Sequence, residues 1–189
     1  ELFGSSPHAW FGPKPLWWPG LLPFSPALLI LPFPGLFRFT CYYYRGAYYK
    51  SFWADPPACA VGEPRQKYLG EHSFPLILQN IHRYFFWIAL IFLAFLWKDA
   101  IYAFDWFGHF GIGVGSILML VDVILLTCYS FSCHSLRHML GGRVDCFSCI
   151  AGGGPLHATW KGASWMNQRH MLFAWLSLFS VGLTDLYIR

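Results

Sequence analysis

Charge is what this sequence has least of. Asp, Glu, Lys and Arg make up 12% of the 189 residues, against 56% hydrophobic and 21% aromatic. A water-soluble domain of this size has no interior able to take up that much apolar surface, which excludes a soluble globular protein. Net positive charge is also scarce. The 13 Lys and Arg against 9 Asp and Glu are dispersed along the chain, so they do not form the basic face of a nucleic-acid-binding protein. Six cysteines are too few and too scattered for the disulfide framework of a small secreted domain. Neither an initiator methionine nor a signal peptide stands at Glu1. Residues are therefore expected to be missing ahead of it, with a further membrane span among them.

What remains is long apolar runs separated by turn signals, the pattern of an all-α polytopic transmembrane helix bundle. Residues 1–26, dense in Pro, Gly, Trp and Phe, cannot form a regular helix and read as a segment lying at the headgroup layer. Residues 27–189 form the bundle. Four spans are expected, at about residues 27–53, 74–97, 110–140 and 163–188. The first is kinked by Pro32, Pro34 and Gly35. The third begins Gly111-Ile112-Gly113-Val114-Gly115, which is no dinucleotide fingerprint because no strand precedes it and no acidic residue marks a ribose. Small residues for close packing explain it better. Lys50, Arg65, Lys67, Arg137, Arg143, Lys161 and Arg169 lie near one surface, and Lys14, Lys98 and Arg189 near the other. The positive-inside rule then places loops 54–73 and 141–162 in the cytoplasm and the short connection at 99–105 outside.

Ionisable groups inside spans are costly and mark function by default. The stretch Ser132-Cys133-His134-Ser135-Leu136-Arg137-His138 closes an apolar run with a soft sulfur and two imidazoles that share one helical face. His82 falls roughly 12 Å below the cytoplasmic end of its span, and His170 about two turns into the last span. Cys41 falls within the first. Three helices thus place imidazoles in one slab. Two cofactors suit such a slab. Haem b takes one His from each of two helices, whereas a Rieske-type [2Fe–2S] centre takes two Cys on one iron and two His on the other. Cys128 reads as a packing residue. Cys146 and Cys149 have the spacing of a zinc or redox pair without a second pair to complete it. Asp122 suits either a hydrogen bond across the bundle or proton uptake. Tyr42, Arg83 and Tyr84, among aromatic and basic residues near the same surface, suit a quinone whose ring carbonyls need donors and whose tail lies in lipid. A simple interfacial belt would use the same aromatics.

Several segments resemble one family: Phe39–Lys50 (FTCYYYRGAYYK), 58–61 (ACAV), 74–85 (FPLILQNIHRYF), 132–135 (SCHS), 167–171 (NQRHM) and 184–187 (TDLY). They are similar to the single-chain membrane anchor of bacterial succinate dehydrogenases (complex II), in the variant where a Rieske-type cluster replaces haem. The resemblance covers most of the chain from about Phe37 onward. It implies a five-helix anchor in the plasma membrane, with a flavoprotein and an iron–sulfur subunit docked on the cytoplasmic face. Electrons from succinate would pass to menaquinone or ubiquinone, and several copies of the complex could assemble together. It offers Cys41, Cys59, Cys133, His82, His134, His138 and His170 as the pool from which four cluster ligands are drawn. From other classes, the competing readings are a haem b cytochrome serving another dehydrogenase, and a non-redox transport or structural protein.

Overall fold

The structure, a computed structural model, describes residues 30–44, 73, 77–142 and 144–188. The interfacial segment 1–26, Cys59 and nearly all of loop 54–73 lie outside the described residues.

Among the described residues, three helices are long and apolar enough to cross a bilayer, over Asn80–Tyr102, Val114–Phe131 and His170–Ile188. The chain is thus a multi-pass membrane helix bundle. Helix α1, Pro32–Phe39, opens with its prolines in the first turn. There the missing N–H would have had no partner in any case, so both prolines are tolerated in it; Ile30 just before it is also helical, with Leu31 as the turn between. Thr40 closes it by donating its hydroxyl to the Leu36 carbonyl at 2.7 Å. A single turn, α2 (Tyr42–Tyr44), follows Cys41, placing that cysteine at a break between helices.

Helix α3, Ile77–Tyr102, has 26 residues and rises about 39 Å. It runs five residues past the expected end of its span and takes in Lys98 and Asp99. A two-residue ladder, β1 (Asp105–Trp106) with β2 (His109–Phe110), turns the chain back. Phe107 and Gly108 both have positive φ, as a two-residue hairpin turn of primed type requires, and Asp105 Oδ1 accepts the Gly108 N–H at 2.8 Å. Trp106, Phe107 and Phe110 are exposed where interfacial aromatics belong. The glycines after the hairpin serve close approach, as expected, but mainly to one ring. A Cβ at Gly111 or Gly113 would run into Trp106, whereas one at Gly115 would meet Tyr187.

The expected third span proves to be two helices. Helix α4 spans Val114–Phe131. At Cys133 the backbone turns extended (φ −61°, ψ 138°), and α5 (His134–Gly141) starts anew with Cys133 as its N-cap residue. The last span is also divided. Helix α6, Gly153–Asn167, occupies much of the expected glycine-rich loop, and α7 (His170–Ile188) begins after Gln168 and Arg169. Helix α4 packs between α3 and α7, α1 packs on α3, and α5 packs on α6. Cys41, Phe37, Phe86, Tyr129, Cys133 and Ala174 form the main buried cluster. It gathers at the end of the bundle where α4 breaks.

Candidate functional site

Two dipeptides of the same kind meet in that cluster. Thr40-Cys41 lies at the end of α1, and Ser132-Cys133 at the break between α4 and α5. All four residues are buried. Two histidines from other helices, His82 on α3 and His170 at the start of α7, insert between them. Thr40 Oγ1 lies 2.9 Å from His82 Nδ1, and His82 Nε2 lies 3.0 Å from Cys133 Sγ. Ser132 Oγ lies 2.7 Å from His170 Nδ1, and His170 Nε2 lies 3.2 Å from Cys41 Sγ. Each hydroxyl therefore holds the histidine that faces the other segment's cysteine.

Hydrogen-bond capacity assigns the protons. Thr40 already donates to the Leu36 carbonyl, and Ser132 to the Tyr129 carbonyl at 2.9 Å. Each hydroxyl can then only accept from its histidine, so Nδ1 carries the proton in both rings and Nε2 presents a lone pair. That lone pair faces a thiol, which donates. Burial favours the neutral forms throughout. Cys133, outside the spans, has its pKa pushed up to about 12, chiefly by burial and then by Cys41. Aromatic faces clamp both rings: Phe37 stacks on His82 at 4.7 Å, and Tyr129 on His170 at 5.1 Å.

Arg38 lies beside the pairs. Its guanidinium donates to Tyr44 Oη at 2.7 Å, the Ala174 carbonyl at 3.1 Å and Ser177 Oγ at 2.8 Å, and it covers the Tyr129 ring at 4.5 Å. These partners are all neutral, so a cation is carried into the bundle on hydrogen bonds and a π face. Arg38, Thr40, Ser132 and Tyr129 were not among the expected site residues. For Thr40 and Ser132 the signal that could have found them is the repeated hydroxyl–cysteine dipeptide.

Of the residues expected to share one slab, the structure brings together Cys41, Cys133, His82 and His170. His134 and His138 are exposed on α5. Partial desolvation, with Arg137 and His138 nearby, holds the His134 pKa below its ordinary value. Arg83 and Tyr84 are exposed on α3, Arg83 reaching Asn80 Oδ1 at 3.5 Å. Tyr42 belongs to α2. Cys146 and Cys149 are joined in a disulfide beside a 3-10 turn, Phe147–Cys149, so neither offers a thiolate to zinc.

The expected Rieske-type [2Fe–2S] centre is overturned, and with it haem b and assignment to the Rieske-bearing variant of the family. Among the described residues no group of three or more His, Cys, Asp or Glu side chains could hold a metal ion. A cluster needs four donors turned on one pair of irons, and haem needs an axial nitrogen turned on its iron. Here each sulfur is turned on one imidazole lone pair and closes it off, while the other nitrogen of each ring is held by a hydroxyl. The donors satisfy one another in pairs.

Comparison with known proteins places this architecture. The profile of a family described as "Actinobacterial succinate dehydrogenase subunit SdhC" matches residues 4–189. A chain in a solved structure, "Mycobacterium smegmatis Sdh1 complex in the apo form", is 50% identical, with a TM-score of 0.74. That match covers 90% of this chain and 63% of the other, so the present chain spans a little under two thirds of that relative's length. No curated protein matches.

Proposed function

Because the chain belongs to the family of actinobacterial succinate dehydrogenase SdhC subunits, we propose that it is the membrane anchor and electron-transfer subunit of a succinate:quinone oxidoreductase. The profile match over residues 4–189 is the observation that carries this reading. The three apolar helices found among the described residues support it. In this reading the chain performs no chemistry on succinate. A flavoprotein and an iron–sulfur subunit dock on its cytoplasmic face, and electrons leave through a quinone bound at the anchor.

Reduction of a quinone adds two electrons and two protons at its ring oxygens. The protein has to offer donors to those oxygens and an apolar path for the tail. Arg83 and Tyr84, exposed on the flank of α3 next to the His82 position, and Tyr42 in α2 are the proposed donors to menaquinone or ubiquinone. Residues 1–26 lie along the interface in this arrangement, and residues 27–53 supply a fourth span. Loops 54–73 and 141–162 face the cytoplasm, and complexes associate into a higher oligomer.

Deleting the chain from its host should abolish succinate:quinone reductase activity in membranes while leaving succinate oxidation by a soluble dye. Retention of both activities would refute the proposal. Losing one charge-assisted hydrogen bond costs about 1.5–3 kcal/mol. Arg83→Ala should therefore raise the quinone KM by about tenfold or more with little change in kcat, the pattern of lost uniform binding. An unchanged KM would remove Arg83 from the site.

A further inference from the structure

Three buried polar atoms find no hydrogen-bond partner among the described residues: Asp122 Oδ1, Tyr129 Oη and Thr184 Oγ1. All three belong to α4 and α7, the two helices that pack against each other most extensively. Tyr129 is 1% exposed and Thr184 9%, so bulk water does not serve these two, and Asp122 is half-buried. A buried polar atom left alone costs about 1–3 kcal/mol. Unpaired groups in a native structure call for an explanation, ordered water being a common one.

Close approach of Gly115 to Tyr187 at one end and the Ser132–His170 bond at the other set an antiparallel register. That register brings Asp122 opposite Ser180. On α7, Thr184, Ser180 and Ser177 recur at helical spacing and form one stripe. Ser177 accepts from Arg38. Arg38 covers the Tyr129 ring in turn. From Thr184 to His170 the file runs about 21 Å along α7, most of a hydrocarbon core of about 30 Å. Unlike the crossed cysteine–histidine pairs, which are internally satisfied, it has open valences at intervals.

We propose that the α4–α7 seam holds a file of internal water molecules that carries protons between the hairpin face of the membrane and the Arg38–Tyr129 group, with Asp122 as the relay. Water is the ligand that fits, since it both donates and accepts and each molecule needs two to four polar partners. The orphan atoms, Ser180 and Ser177 supply them. The carboxyl of Asp122 can release a proton to one neighbouring water and take one from the next. Nothing in this depends on which acceptor the complex reduces.

The test is hydrogen–deuterium exchange followed by infrared spectroscopy on the purified, assembled complex. The carboxyl C=O band absent from Asp122→Asn belongs to Asp122. In wild type it should shift within seconds to minutes of transfer to deuterated buffer. Thr184→Val, which keeps the shape and removes the hydroxyl nearest the hairpin, should slow that shift at least tenfold. A band that stays unshifted for hours, no band assignable to Asp122, or an unaltered rate in Thr184→Val would each overturn the proposal. If the complex exchanges as expected but fails to reduce quinone, the functional reading fails while the water file stands.

Discussion

Replacing Ser132 by Ala tests the proton assignment at the crossed pairs. Ser132 is fully buried. Its hydroxyl donates to the Tyr129 carbonyl and accepts the His170 Nδ1 proton at 2.7 Å. Alanine leaves that imidazole N–H buried without an acceptor, and water cannot replace the hydroxyl in so closed a site. An orphaned donor costs about 1–3 kcal/mol. Hydrogen bonds between membrane helices average only about 0.6 kcal/mol by double-mutant cycles, with a maximum near 1.7. Loss of the bond alone would therefore be small, and it is the orphaned donor that lifts the expected cost to about 2 kcal/mol. In a His170→Phe background no donor is left to orphan, so Ser132→Ala should then cost about 0.7 kcal/mol or less. The interaction energy of the cycle should exceed about 1 kcal/mol. Equilibrium unfolding of the detergent-solubilised chain by SDS titration measures all four corners. Equal costs in the two backgrounds would show that Ser132 acts by packing, and the assignment of Nδ1–H to His170 would fall.

Three further outcomes follow from the same geometry. Cys133, with its pKa pushed up to about 12, stays a thiol throughout the neutral range, and its thiolate fraction grows only as pH rises towards that value. Maleimide labelling at pH 8 should run roughly a thousandfold slower than at an ordinary thiol with a pKa near 8.5, and mass spectrometry of labelled peptides reads the ratio. Gly153→Ala drives a Cβ into the Phe147 backbone carbonyl, which cannot swing aside as a side chain would, so a loss of about 1–3 kcal/mol is expected. Gly162→Ala on the same helix meets nothing and should stabilise by about 0.5–1 kcal/mol; comparing the two melting curves checks both. Arg137 donates to Ser164 Oγ at 2.9 Å and covers Trp160 at 5.0 Å, so Arg137→Ala should loosen α5 from α6. The expected sign is faster backbone hydrogen exchange confined to those helices.

Much of the membrane character was written in composition and run length. The apolar runs expected at about residues 74–97, 110–140 and 163–188 can only be satisfied as helices in lipid, and the three spans found among the described residues, Asn80–Tyr102, Val114–Phe131 and His170–Ile188, each overlap one of them with shifted ends. Helix interruptions were much harder to read. Nothing in the apolar period marks Ser132–Cys133 as a break, because Ser and Cys are tolerated in a membrane helix. The break exists because Ser132 and Cys133 satisfy their polar atoms by turning inward to His170 and His82. Glycine density at 152–154 suggested a loop, yet Gly153 begins α6 because the Phe147 carbonyl packs where a Cβ would stand.

The site divides along the same line. Residue types alone marked Cys41, Cys133, His82 and His170 as out of place in lipid, since buried polar groups need partners. Their partners were not legible, because pairing depends on which helices pack and in what register. Cys41 faces His170 across 129 positions of sequence, and His82 faces Cys133 across 51. His134 and His138 have the same chemistry and a similar apparent depth, yet the break in α4 turns them out to the surface. The sequence by itself determined that this chain lives in a membrane and that it carries buried sulfur, imidazole and guanidinium groups. Only the tertiary structure decided that these groups close on one another in pairs while the α4–α7 seam is left with open valences. Hydrophobicity is additive along a chain, whereas hydrogen-bond satisfaction is a property of atoms brought together.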